Sequence, residues 1–515
     1  MRQQPDVNHS MISLRKVCKS GLLHQNQTLK VEHDMQETKR PNILFAIADD
    51  ASHMSAYGHR FVNTPNFDAV AREGALFTNA FTTNPKCAPS RAGILTGMHT
   101  WQLEEACNHW NVFNARFAVY PDMLECSGYH VGYTGKGWGP GNWEKGGFRR
   151  NPAGPEYNRF KLQPPIDTCI STADYAANFE DFLSKRRMDQ PFCFWYGGFE
   201  PHRKYEPGEG IRAGKRMEDV TLPAYYPEDG IIRSDMLDYG HEIEWFDKHL
   251  GLMMDKLEEI GEIRNTIIVV TSDNGMPFPR VKGQMYEQDL HLPLAICWKD
   301  RVSGGRKIED LVSFIDFAPT LLDAAGIEPH PQMEGKSLLD LLLSDQSGRL
   351  DEARDRVFMG RERHDMGREG DGGYPVRCIR THAYLYIRNF KPERWPSGNP
   401  ETGYTDVDSS PTKDVLLSRP EGVEDYYYGL TFAKRPEEEL YNILRDPECM
   451  NNLAPDAAFD EIRNGLWVEL KQKLEETKDP RMMGNGDLFD TYEYVVRAPH
   501  SWKAYEEGWF EKQAY

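Results

Sequence analysis

The sequence predicts an α/β protein: a doubly wound, mostly parallel sheet flanked by helices, followed by a smaller C-terminal α+β unit containing an antiparallel sheet. Three observations predict it. Short, wholly apolar runs occur at Asn42–Ala48, Pro191–Phe199, Thr266–Val270 and Pro293–Trp298, as strands buried on both faces of a parallel sheet require. Between the second and third lies a segment with apolar residues at Met236, Tyr239, Ile243, Phe246, Leu250, Met253, Leu257 and Ile260, a three-four spacing that is helical. After about residue 345 the composition changes, and Val376–Thr381 with Tyr384–Asn389 reads as a hairpin.

Taken in order, residues 1–40 are polar and slightly basic and read as a flexible extension. They hold no run of the ~7–15 apolar residues that a secretory leader needs, so the chain is either cytoplasmic or has its leader outside this numbering. Residues 41–349 make the main domain and 350–480 the smaller unit. Residues 481–515 form an aromatic-rich tail, with Tyr492, Tyr494, Trp502, Tyr505, Trp509 and Phe510 expected to pack within the chain. No run approaches the ~20 apolar residues that span a bilayer, so no membrane segment is expected. The net charge of -19 excludes a general nucleic-acid binder, which needs a basic face. It leaves room for an anionic substrate held by a local cluster of cations. The nine cysteines are odd in number and lack CxxC pairs, which suits buried thiols better than a disulfide framework or structural zinc.

Two of the predicted strands run into polar clusters at their carboxyl ends, where open α/β sheets carry their sites. Asn42–Ala48 leads into Asp49-Asp50, and Thr266–Val270 into Ser272-Asp273-Asn274-Gly275. Adjacent carboxylates alone would equally cap a helix or lie in solvent. Two such pairs in one sheet can converge on a hard divalent cation, which wants several oxygen ligands. A third cluster, Cys87-Ala88-Pro89-Ser90-Arg91, places a cysteine at a helix start, where free N–H groups and the dipole favour an anion. For a lone cysteine, a buried structural role is the plainer reading.

Cys-x-Pro-Ser-Arg followed by Leu95-Thr96-Gly97 resembles the signature of the type I sulfatases, whose cysteine is oxidised to formylglycine. The resemblance spans about residues 40–455. It includes Pro41-Asn42-Ile43, Thr64-Pro65-Asn66, Lys282-Gly283 with Tyr286-Glu287, Asp316–Gly326, and Glu439-Leu440-Tyr441 through Asn452-Leu453. Glu200-Pro201-His202-Arg203, Ser272–Pro279 and Tyr374-Pro375-Val376-Arg377 are most similar to the heparan N-sulfatase (sulfamidase) branch and related bacterial polysaccharide sulfatases. The resemblance implies an alkaline-phosphatase-like fold and a sulfatase. In it, one hydroxyl of the formylglycine hydrate at position 87 attacks sulfur, and the second collapses to expel sulfate. It implies Ca²⁺ on Asp49, Asp50, Asp273, Asn274 and residue 87, although these ligands would accept Mg²⁺ too. It assigns Arg91 to orienting the hydrate, Lys136 to the sulfate, and Lys282 to a sulfate oxygen or to assisting the leaving group; His202, as an imidazole, is the natural general acid near pH 7 for the leaving atom. It also implies a formylglycine-generating maturation enzyme as partner.

One departure stands out. The family's Lys-x-His becomes Lys136-Gly137-Trp138, and indole cannot accept a proton; His109 or a water would then serve the collapse step. For substrate binding, His109 and Trp138 are expected near the sulfate pocket. Arg361, His364, Arg377 and Arg380 are expected to project from the smaller unit toward its mouth. Basic residues there suit an acidic sugar or a second sulfate. The expected substrate is therefore an O-sulfated acidic glycan, such as ulvan or glycosaminoglycan oligosaccharides, met in the periplasm or outside the cell. The alternatives are N-sulfoglucosamine, a phosphonate or phosphodiester of the same superfamily, or a sulfated glycan bound without catalysis.

Overall fold

A computed structural model describes residues 39–420 and 425–511; the expected N-terminal extension lies outside them except for Lys39 and Arg40. The apolar run Asn42–Ala48 forms strand β1, buried at every position. Helix α1 (Pro65–Glu73) starts with proline in its first turn, where the missing N–H costs nothing, and leads to β2 (Ala75–Phe77). Helix α2 (Cys87–Thr96) is buried along its whole length. Strand β3 (His130–Gly135), helix α3 (Tyr175–Ser184) and strand β4 (Phe192–Gly197) follow. Helix α4 (Gly230–Glu259) is the one the periodicity predicts: Met236, Tyr239, Ile243, Phe246, Leu250, Met253 and Leu257 all face the core. Asp229 caps its start by accepting from the N–H groups of Ile231 and Ile232. Strands β5 (Thr266–Ser272), β6 (Leu294–Cys297) and β7 (Arg306–Ile308) complete the sheet.

The seven strands lie in the order β7-β2-β6-β5-β1-β4-β3. The four at β5, β1, β4 and β3 are mutually parallel, with Ala48 of β1 level with Ser272 of β5. Strand β6 runs antiparallel to both its neighbours, so the mixed character is greater than the apolar runs imply. The cause is the connection. Residues 273–293 cross the carboxyl rim with only the one-turn helix Glu287–Leu290 between them. Returning beside β5 without a crossover helix requires the antiparallel direction.

The smaller sheet is antiparallel, in the order β8 (Arg356–Arg361), β9 (Val376–Thr381), β10 (Tyr384–Asn389), β11 (Glu438–Asn442). One face packs Val376, Cys378, Leu385 and Ile387 against Met285, Tyr286 and Leu290 of the main domain. The other packs Ile379, Tyr386 and Leu440 on Leu466, Leu470 and Leu474, which lie on helix α6 (Asp460–Glu476). The long excursion between β10 and β11 returns to the first domain: Tyr404, Val407, Leu416 and Phe432 join the core around α4, and Thr412 donates to Asp235 at 2.6 Å. Helix α5 (Pro411–Leu417) sits in this excursion. The tail folds back as expected. Arg363 donates to the Tyr492 carbonyl, Val495 N–H to the Trp110 carbonyl, and Trp502 N–H to Asp371. Cys87, Cys107, Cys169, Cys193, Cys297, Cys378 and Cys449 are free thiols. Among the described residues no helix is long and apolar enough to cross a membrane.

Candidate active site

The in-register pairing of β1 and β5 brings their carboxyl ends out side by side. Asp49 and Asp50 leave one strand where Asp273 and Asn274 leave the other, and all four are buried. Asp50 turns into the left-handed region at φ 79, a conformation Asp tolerates better than most residues. Its N–H donates to Asp273 Oδ1 at 3.1 Å, and Asn274 Nδ2 donates to Asp50 Oδ1 at 2.7 Å. One oxygen each of Asp49, Asp50 and Asp273 lie within 4.8 Å of one another. Asp49 Oδ1 and Asn274 Oδ1 are buried and accept no hydrogen bond, the former with Arg91 Nη2 3.9 Å away. Burial, then the nearby Asp49, pushes Asp273 up to about 7. Hard oxygens crowded out of water, two of them unpaired, fit a divalent cation.

Three cations close the floor. Lys136 donates to Asp49 Oδ2, and Lys282 to Asp50 Oδ2 at 2.6 Å and Asp408 Oδ2 at 2.9 Å. Against the cost of burial, Lys136, His202, Arg91 and Lys282 hold Asp49 well below the usual carboxylate range. Lys136 reaches this place because β3 ends in Gly135 at φ +72, where a Cβ would stand 1.9 Å from the Gly197 carbonyl. Arg91 is wholly buried. Its Nε donates to Asp273 Oδ2 at 2.7 Å and its Nη1 to the carbonyls of Lys136 and Gly137. One guanidinium thereby ties α2, the β5 rim and the Lys136 loop together.

Cys87 begins α2 and is 1% exposed. Burial, then Asp49, pushes its thiol up, beyond the counter-pull of Lys136 and Lys282. A thiol so placed stays protonated at neutral pH and is a poor nucleophile as it stands. Atoms of Asp49, Cys87 and His202 approach within 4.8 Å of one another. His202 Nδ1 lies 2.6 Å from the Arg203 carbonyl. A carbonyl only accepts, so Nδ1 carries the hydrogen and Nε2 is the nitrogen left for a ligand. Above this floor opens a cavity of about 680 Å³, lined by Asp49, Lys86, His109, Trp110, Lys136, Glu200, His202, Lys282, Asp365 and Asp408, with His500 from the tail.

The remaining expected residues lie elsewhere. Arg377 is fully buried beneath the small sheet, between Asp479 and Glu362 at 2.6 and 2.8 Å. Arg380 pairs with Glu287 at 2.8 Å. Arg361 donates to Asp406 at 2.8 Å and to the Gly283 carbonyl, and His364 bonds Asn84 Oδ1 at 2.9 Å. None of these four lines the cavity. A sequence cannot distinguish them from mouth residues, because Asp406, Asp479, Glu287 and Asn84 reach them from distant segments. Trp138 is 3% exposed, packs on Phe113 and donates its indole N–H to the Ala88 carbonyl at 3.0 Å. It supports the first turn of α2 from behind and does not line the cavity. Lys86, Asp365 and Asp408 were not singled out by the sequence. Lys86 had one signal, its place immediately before Cys87; the two aspartates had none.

Residues 41–327 match the sulfatase family model, and 281–395 match the C-terminal model of N-sulphoglucosamine sulphohydrolase. The first match covers more than half of the chain, and the protein belongs to the sulfatase family; it is a sulfuric ester hydrolase of alkaline-phosphatase-like fold. An ulvan-active sulfatase of Formosa agariphila is 27% identical, over 86% of this chain and 75% of its own. The N-sulphoglucosamine sulphohydrolase of Homo sapiens is 29% identical, over 85% of this chain and 91% of its own. A solved structure holding the substrate D-glucosamine-2-N,6-O-disulfate has a TM-score of 0.62 at 22% identity, covering 86% and 99% of the two chains, and shares the fold.

Proposed function

We propose that this protein releases sulfate from a sulfated saccharide, using a formylglycine made from Cys87 and a Ca²⁺ held by Asp49, Asp50, Asp273, Asn274 and residue 87. The observation that carries the reading is the convergence of Cys87 and His202 on Asp49, and of Asp49, Asp50, Asp273 and Asn274 on one another, beside a cavity that Asp49 and His202 line. The hydrated aldehyde would supply an attacking hydroxyl and a second one to collapse, and the cation would supply positive charge against the sulfuryl oxygens.

The chain's own residues do the rest. Arg91, fixed by Asp273 and two carbonyls, holds residue 87 at the floor. Lys136 and Lys282 stand on either side of the carboxylates, where they bind sulfate oxygens and stabilise the charge that builds on them. His202, its Nδ1–H committed to the Arg203 carbonyl, offers Nε2 to the leaving oxygen and gives it a proton. Hard oxygen donors would hold Mg²⁺ as well, so the identity of the ion is to be read from reconstitution.

An O-sulfate ester is the first reading, in keeping with the ulvan-active relative. N-sulfoglucosamine is the second, favoured by the match at 281–395 and the human relative. A saccharide of extracellular origin places the enzyme in the periplasm or outside the cell. The acidic-glycan reading loses its support once Arg361, Arg377 and Arg380 are found committed inside the protein.

The test is sulfate release followed by ion chromatography, with protein co-expressed with a formylglycine-generating enzyme. The panel holds N-sulfoglucosamine, O-sulfated glycosaminoglycan disaccharides, ulvan oligosaccharides and a phosphodiester. Release from a sulfated sugar supports the reading and chooses between O- and N-sulfate. Faster turnover of the phosphodiester would overturn it.

A further inference from the structure

One wall of the cavity is built from parts of the chain far apart in sequence, and Asp365 is its hub. Asp365 Oδ2 accepts from Lys86 Nζ at 2.7 Å. Its Oδ1 faces His109 Nδ1 at 3.2 Å and accepts from the Tyr494 hydroxyl at 3.3 Å. The tail also secures the next residue: Val495 N–H donates to the Trp110 carbonyl at 2.9 Å, and the Trp110 and Tyr494 rings lie 6.4 Å apart. Trp110 is held at φ 51, a costly conformation for a bulky residue, kept only where the surroundings enforce it.

The hydrogen-bonding sense of this wall follows from its chemistry. Lys86 and His109 hold Asp365 well below the usual carboxylate range, against the cost of burial. An ionised carboxylate only accepts, so His109 Nδ1 carries the hydrogen. Burial lowers His109 to about 4, and the neutral ring keeps Nε2 as a bare acceptor. That nitrogen has no partner in the protein, although His109 is 6% exposed and lines the cavity. Apart from Lys136 and Lys282, which are given to the transferred sulfate, Lys86 is matched by Asp365 and Arg203 by Asp235, and Lys204 lines the cavity beside Arg203.

We propose that this wall is a saccharide subsite for an uncharged, hydrogen-donating sugar face. The ring lies against Trp110, one hydroxyl or amide N–H donates to His109 Nε2, and a second sulfate or a carboxylate at that position is rejected. An anionic oxygen has no hydrogen to give there, and it would meet a lone pair with the Asp365 charge behind it. The inference rests on the saccharide reading above and names which face of the sugar is recognised.

The test uses the matured enzyme, its His109→Ala and His109→Gln variants, and a series of 6-O-sulfated and N-sulfated hexosamines. Each sugar is supplied intact, with single hydroxyls removed, and with a second sulfate or, in the N-sulfated sugars, C6 as a carboxylate; p-nitrophenyl sulfate is the control. The wild type should lose about tenfold in kcat/KM, mostly through KM, on one deoxy analogue. It should lose at least as much on the doubly anionic sugars. His109→Ala should raise KM about tenfold for the intact sugar and leave that deoxy analogue unchanged. His109→Gln, whose carbonyl can accept, should recover most of the loss. Equal turnover of singly and doubly anionic sugars, or a His109→Ala loss that is the same on every analogue, would overturn the proposal. If His109→Ala does not fold, the wild-type series decides alone. Turnover of p-nitrophenyl sulfate and of no sugar would overturn the saccharide reading and the subsite together. Turnover of sugars that ignores every hydroxyl would overturn the subsite only.

Discussion

The floor and the wall of the cavity are built by different means. The floor joins residues that leave neighbouring strands at the same level, with α2 laid across them, and carries dense paired charge: Asp49, Asp50 and Asp273 against Lys136, Lys282 and Arg91. The wall joins residues 86, 109, 365 and 494 through one carboxylate and leaves Nε2 of the cavity-lining His109 without a hydrogen-bond partner. Sheet geometry holds the first in place, so the chemistry proposed for it would sit on rigid elements. The second depends on loops and a tail, where substrate choice can vary without disturbing the floor.

The largest expected effect tests the floor. Cys87→Ala, co-expressed with the formylglycine-generating enzyme, should lower kcat for sulfate release by roughly 10⁴-fold or more, because alanine cannot be matured to the aldehyde. Turnover at the wild-type rate would sink the proposed chemistry. Next comes the cation: chelation, or Asp50→Asn, should cut activity by about 100-fold or more and lower the thermal midpoint of the matured enzyme. Added Ca²⁺ should restore both in the chelated wild type. Unchanged activity after exhaustive chelation would remove the ion from the site.

A third prediction separates stability from catalysis. Arg377→Met leaves Glu362 and Asp479 buried without their shared partner and should cost about 3–5 kcal/mol in denaturant unfolding, while the folded fraction keeps its KM. A KM change on sulfated sugars with unaltered stability would return Arg377 to the mouth. The smallest effect concerns the far side of the cavity, where Glu209 adjoins Glu242. Burial, then Asp238, raises Glu209 to about 7. Its folded pKa thus exceeds the unfolded value near 4.3, so the native state holds a proton that the unfolded chain has lost. Stability from this group falls as pH rises from about 4.3 through 7. Glu209→Gln should therefore raise the thermal midpoint at pH 8 and leave it nearly unchanged at pH 4; equal shifts at both would refute the assignment.

Much of the floor is legible in one dimension. Apolar runs predicted β1, β4, β5 and β6, the three-four spacing predicted α4, and polar clusters at two strand ends, together with Cys87 before Pro89 and Arg91, marked the site. Each of these signals is local: a few adjacent residues carry both the element and its chemistry. The arginines show where such reading stops. Arg361, Arg377 and Arg380 look alike on paper, yet each meets a carboxylate supplied from another part of the chain, Asp406, Asp479 or Glu287. Trp138 was expected among the site residues and instead braces Ala88 from behind.

The sequence by itself determined the class of fold, the main elements and the residues that meet on the cavity floor, because burial periodicity and strand-end chemistry are properties of short segments. Only the tertiary structure decided which charges are spent inside the protein and which residues wall the cavity. It set Lys86, His109 and Tyr494 around Asp365 and brought Tyr404, Val407, Leu416 and Phe432 into the core around α4. Those outcomes depend on which distant segments meet, and a charged side chain keeps or loses its freedom to bind substrate according to the partner it finds there.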